Sequence, residues 1–144
     1  MTFSATDNTH LQTSATQITI EEDFTIGLRI KPDTTNGAFI GDNTTAGDYF
    51  KIATASRISF KIAGSASTNL DLDAGTFGDD YLVITRSDDV LTLYKNGVAQ
   101  TGTTPTLAGD VLIDCIGVRR LDINDYQGGI KEIQIYSSSS DALP

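Results

Sequence analysis

Tryptophan is absent from the 144 residues, and there is one cysteine and one histidine. A single cysteine closes no intramolecular disulfide and builds no cysteine-based metal cluster. It lies in the apolar run Val111-Leu112-Ile113-Asp114-Cys115-Ile116, where a small buried hydrophobe is the expected role rather than a reactive thiol. His10 alternates with Thr9 and Leu11 and reads as a surface or edge residue, so neither a Cys–His nucleophile pair nor a Ser-His-Asp set can be placed. Cations are also scarce. Ten Lys and Arg face 19 Asp and Glu, for a net charge of −9 and a pI near 4.3. Such a surface repels phosphate backbones, which excludes nucleic acid and anionic membranes as favoured partners. No apolar run is long enough for a membrane-spanning helix, so no membrane insertion is expected. Met1 leads almost directly into strand-like sequence without a signal peptide, so synthesis in a cytoplasm is expected.

A helical stripe is missing too; what is present is alternation with period two. Phe24, Ile26, Leu28 and Ile30 alternate with Thr25, Gly27, Arg29 and Lys31. Ile58, Phe60 and Ile62 alternate with Ser59 and Lys61, and Leu70 and Leu72 with Asp71 and Asp73. Strands with one buried and one wet face are the signature of antiparallel sheets, and the many Thr, Ile and Val side chains suit a pleated surface. Turn signals punctuate the runs: Pro32-Asp33, Asn36-Gly37, Ala46-Gly47-Asp48, Gly78-Asp79-Asp80, Asn96-Gly97 and Gly128-Gly129. Asn96-Gly97 is the sharpest, because a type I′ hairpin turn needs positive φ twice. About eleven short strands with regular turns predict an all-β, two-sheet antiparallel sandwich. One domain over 1–136 is expected, followed by a Ser-rich tail over 137–144.

Three stretches carry a resemblance. "DFTIGLRIKPD" (Asp23–Asp33), "DDYLVITRSDDVLTLYKNGVAQTG" (Asp79–Gly102) and "YQGGIKEIQIY" (Tyr126–Tyr136) follow one another in the order found in the concanavalin A-like lectin/glucanase superfamily, in its laminin G-like branch. "FSATDNTHLQT" (Phe3–Thr13) is weakly similar to that family's opening strand. The resemblance implies a jelly roll with one concave sheet. Members include lectins, carbohydrate-binding modules, adhesion domains, hydrolases and virion proteins, so the site and not the fold must decide function. Leu28-Arg29-Ile30 and Tyr81 stand where the family often places tryptophans, and Lys131 replaces the acid of its closing strand.

Hydrolysis of a glycoside needs two carboxyl groups about 5–9.5 Å apart, one with a raised pKa. Asp71 and Asp73 are the nearest approach, on the polar face of a short strand, and Glu21-Glu22-Asp23 point to different faces; both read as solvated charge, and no enzymatic activity is expected. Many relatives hold calcium at a sheet edge, and Asp122, Asn124, Asp125, Asp7 and Asn8 are oxygen donors of the right kind. Lys131 argues against that metal: its ammonium is expected to stand in for the cation by pairing with Asp7 or Asp125. No cofactor is therefore expected, calcium being the one the residues leave open. For sugar, a platform would come from Tyr49, Tyr81 or Tyr126, with polar contacts from Asp42-Asn43-Thr44 and Arg119-Arg120, while Tyr94 and Tyr136 read as packing residues. For protein, Arg119, Arg120 and Tyr126 are the anchoring types. The expectation is a non-catalytic structural or adhesion module of a virion, such as a bacteriophage decoration, fibre or tail component. Its partners would be other virion proteins or further copies of itself, with a cell-surface glycan second. Its contacts would come from the loop Arg119–Tyr126, Asp42, Asn43 and the chain ends. A lectin or carbohydrate-binding module acting outside a particle is the alternative.

Overall fold

The computed structural model describes residues 2–3, 11–12, 17–43, 47–62, 65–119 and 124–137, the side chain of Phe3 excepted. These residues form strands and turns only. The strands are β1 (Thr2–Phe3), β2 (Leu11–Gln12), β3 (Ile18–Ile20), β4 (Phe24–Pro32), β5 (Gly37–Gly41), β6 (Tyr49–Thr54) and β7 (Arg57–Lys61). They continue as β8 (Thr68–Asp71), β9 (Asp80–Ser87), β10 (Val90–Lys95), β11 (Val98–Gln100), β12 (Val111–Ile113), β13 (Cys115–Ile116) and β14 (Gly128–Tyr136). The count exceeds the eleven expected because β1, β2, β3, β12 and β13 hold only two or three residues each, too few to show alternation.

Two six-stranded antiparallel sheets pack face to face. The first runs β1-β14-β4-β9-β10-β11 and the second β2-β13-β5-β6-β7-β8, with a small β12-β3 pair beside them. Register explains the core. Ile26 pairs with Ile84 and Ile135, and Leu28 with Leu82 and Ile133, so across β14, β4 and β9 these two inward rows of the first sheet are aliphatic throughout. Opposite it stand Phe39, Phe50 and Phe60, with Phe50 stacked on Phe60 at 5.5 Å and edge-on to Phe24 at 6.2 Å. Each such side chain taken from water contributes roughly 1.5–3 kcal/mol.

One side of the sandwich is sealed by polar groups. Asp73 accepts from the amides of Thr101 and Gly102 at 2.7 and 2.6 Å, and the Asp73 amide donates to Gln100 Oε1 at 3.0 Å. β14 contains a bulge between Ile130 and Glu132. In a regular strand Ile130 and Ile133, three residues apart, would point to opposite faces; the bulge absorbs Lys131 as the extra residue, and both turn inward.

Candidate functional site

Of the two partners expected for Lys131, Asp7 lies outside the described residues, and Asp125 is not the one it meets. The bulge sends it outward, and its ammonium reaches Asp79 Oδ2 at 2.5 Å, with Arg29 3.6 Å from the same carboxylate. Those partners, Lys131 foremost, hold Asp79 below the usual carboxylate range. Among the described residues no group of three or more His, Cys, Asp or Glu is arranged to hold a metal ion. The carboxylates weighed for hydrolysis are engaged elsewhere. Asp71 receives Arg57 Nε and Nη2 at 2.6 and 3.0 Å, which lowers its pKa, and Asp73 caps the Thr101-Gly102 turn.

Several expected contact residues are buried or engaged within the chain. Tyr126 is 1 % exposed and belongs to the core; burial, reinforced by the charge of Asp33, drives its phenol far above the ordinary range. It cannot anchor a partner. Its place follows from Gly37, where a Cβ would overlap the Tyr126 backbone. Asp42 is equally buried and accepts from Gln17 Nε2 at 2.9 Å, and the Asn43 amide donates to Asp114 Oδ1 at 2.8 Å. Asp125 forms a parallel bridge with Ala38, and the Asn124 carbonyl accepts from the Ala38 amide. Arg119 crosses Gly41, stacks 4.1 Å from the Tyr49 ring and donates from Nε to Asn124 Oδ1 at 2.8 Å. Tyr49 is thereby covered and offers no platform. Arg120, Asp122, Asp7, Asn8, His10, Thr44 and the tail from Ser138 lie outside the described residues.

The aromatic surface lies on the outer face of the first sheet. Leu82 and Ile84, Leu91 and Leu93, and Ile133 and Ile135 face the core or pack against it, so Tyr81, Tyr94 and Tyr136 point the other way. Tyr136 is 41 % exposed, and Tyr94 and Tyr81 are half-buried; Tyr94 and Tyr136 are surface residues, not the packing residues expected. Pairing puts Tyr94 and Tyr136 in adjacent rows, and Tyr81 in the row of Arg29 and Glu132. One row across the sheet reads Gln134, Gly27, Val83, Tyr94 and Ala99; the next reads Tyr136, Thr25, Thr85 and Thr92. The floor of Gly27, Thr25, Thr85 and Val83 is made of small or branched side chains, and the tyrosines stand above it. Polar groups rim the surface: Tyr136 Oη donates to Gln134 Oε1 at 3.2 Å, and Gln134 Nε2 donates to Glu132. Burial, with the Glu132 charge and Tyr136 adding to it, raises the Tyr81 pKa, so its phenol stays a neutral hydrogen-bonding group.

Flat rings beside a planar amide and a carboxylate can take the apolar face of a sugar ring while bonding its hydroxyls. A different cleft of about 180 Å³, lined by Leu11, Ile18, Ile40, Ile113, Ile133 and Ile135, has little to orient such a ligand. Its polar members Gln12 and Asp114 bond each other.

A family model described as the concanavalin A-like lectin/glucanases superfamily, of the laminin G type, matches residues 5–142. The chain belongs to that family. Among solved structures it is similar to the heptameric SAP-like pentraxin of Limulus polyphemus, at a TM-score of 0.67 and 14 % identity, covering 91 % of this chain and 70 % of that one. It is also similar to domains LG4-5 of the mouse laminin α1 chain, at a TM-score of 0.58 and 11 % identity, covering 93 % and 44 %. At such identities the likeness shows the fold alone. No curated protein matches the sequence.

Proposed function

We propose that this chain is a non-catalytic carbohydrate-binding module whose binding surface is the outer face of β14, β4, β9 and β10. The observation that carries this reading is the placing of Tyr81, Tyr94 and Tyr136 on the outer face of one sheet beside Gln134 and Glu132. In a chain without tryptophan, these are the rings available to stack on a sugar. Family membership supports the same ligand class, and Asp71 and Asp73, held by Arg57 and by the Thr101-Gly102 turn, support a binding rather than a hydrolytic role.

The test is a glycan array followed by titration, read through tyrosine emission because no tryptophan masks it. A defined oligosaccharide should bind, and Tyr94→Ala and Tyr136→Ala should each weaken it roughly thirtyfold, the size of a lost anchor of about 2 kcal/mol. Lys61→Ala, on the other sheet, should bind as the parent does. No bound glycan, or full affinity in both tyrosine variants, would sink the reading. Display on a virion, the setting the family resemblance suggested, is proposed with it and has its own check: co-sedimentation of the protein with particles.

A further inference from the structure

The outer face of the second sheet has the opposite character. Between Asp33 and Asp71 the only acids are Asp42 and Asp48, and both are buried, at 1 and 0 % exposure. The same stretch supplies Lys51, Arg57 and Lys61, and Arg119 crosses onto the face, so it gathers four of the ten cations of a chain whose net charge is −9. Phe50 and Ile52, and Ile58 and Phe60, point inward, which turns Lys51, Arg57 and Lys61 outward. Arg57 is matched by Asp71. Lys51 pairs across the ladder with Ser59, making Lys61 its diagonal neighbour, and such neighbours lie about 7–8 Å apart. Lys51 donates to the neutral Asn36 Oδ1 at 2.9 Å, and among the described residues no carboxylate pairs with either lysine. Two like charges side by side, unneutralised on an acidic protein, call for an acidic partner.

The chain carries one. Glu22, Asp23, Asp88, Asp89 and Asp110 ring a depression formed by the β3–β4 turn, the β9–β10 turn and the loop before β12. Buried Arg86, bonded to the Glu22 and Gly109 carbonyls, supplies one positive charge beneath it. We infer that the cationic face of β6 and β7 docks the acidic end of a second copy of this chain. The two patches sit on different surfaces, so the contact is head-to-tail and propagates into a ring or a filament. The net charge opposes association at long range; at physiological ionic strength the Debye length of about 8 Å screens that repulsion and leaves close charge pairs in force. This inference does not rest on the tyrosine surface.

Sedimentation velocity over a wide concentration range, at about 0.15 M salt and again near 1 M, tests it. Reversible self-association should appear at the lower salt and fade at the higher. Lys51→Glu with Lys61→Glu, and separately Asp88→Asn with Asp110→Asn, should each weaken it about tenfold. Asn accepts the positive φ of Asp88, which limits strain in the second variant. Lys51→Arg with Lys61→Arg should associate as the parent does, and circular dichroism should show all variants folded. A wild type that stays monomeric throughout overturns the inference. So does unchanged association in the Asp88/Asp110 variant, since the acidic partner would then lie elsewhere. Retention of the monomeric wild type on an acidic polysaccharide, lost in the Lys→Glu variant, would assign the face to a foreign polyanion instead.

Discussion

Among the described residues Arg86 heads the fully buried side chains by volume. Its register partners are Phe24 and Leu91, so it faces inward, 4.9 Å over the Phe24 ring. The guanidinium donates to the carbonyl of Glu22, and to those of Gly109 at 2.5 Å and Leu107 at 3.4 Å, holding two loops to one strand. Burial lowers its pKa, and the charges of Asp89, Asp23, Asp110 and Glu22 counter that. Replacing Arg86 by Met keeps much of the volume but strands the three carbonyls. A loss of about 3–5 kcal/mol is expected in urea denaturation. Arg86→Lys should recover little, because one ammonium cannot reproduce the fork. A lysine variant as stable as the parent would show that charge alone suffices. Period two puts Arg86 on the core side with Leu82 and Ile84, so its direction is legible in the sequence. Its partners are not, because they lie 21 to 64 residues away.

Among the elements, β14 does most to shape the proposed binding face. It starts at Gly128, whose φ of 134° no L side chain adopts easily and where a Cβ would overlap the Lys31 carbonyl oxygen. Gly129 is different: the nearest neighbour of its Cβ would be Lys31 Cβ, 3.9 Å away. Gly128→Ala should therefore cost about 2 kcal/mol or more, while Gly129→Ala stays near the parent; thermal melts of the pair check this. Equal melting temperatures would contradict the backbone argument. From the sequence, Gly128-Gly129 reads as one turn signal, and only the close approach of β4 separates the two glycines. The bulge at Lys131 escapes the sequence for the same kind of reason. A strict alternation puts Lys131 on the face of Ile133 and Ile135, and the slip shows only once β14 is laid against β4.

For the whole molecule, acid is the expected weakness. Asp71, Asp79 and Asp80 all have depressed pKa values. For Asp80, burial works upward, but the Gly78 amide at 2.6 Å, Asn96 Nδ2 at 2.8 Å and the Lys95 ammonium at 3.3 Å outweigh it. A folded pKa below the unfolded value, about 3.9 for aspartate, gives stability that is present above that pH and lost as pH falls through the folded value. Melting temperature should hold steady above about pH 5 and drop below about pH 4. Asp80→Asn should flatten that drop while lowering the plateau. A melting temperature that climbs on acidification would mean that relief of the net charge of −9 outweighs the three pairs.

Alternation by itself determined the all-β class and which strand positions face in. It already places Tyr94 opposite Leu91 and Leu93, and Tyr136 opposite Ile133 and Ile135, although strand membership alone suggested packing for both. Side-chain direction in a strand is a local property with period two, and one chain suffices to read it. The uneven charge is equally plain, since three cations and two acids lie between Asp33 and Asp71. The tertiary structure decided what those faces are for. Loop residues have no period, so Arg119, Tyr126 and Asp42 could be assigned only once the Asn124–Tyr126 segment lay along β5 against Gly37 and Val118–Arg119 crossed at Gly41. It also brought Tyr81, Tyr94 and Tyr136 onto one surface. Their sequence separations are fixed, but their meeting depends on β14, β4, β9 and β10 becoming neighbours, a choice made by long-range pairing and burial of the aliphatic rows beneath them.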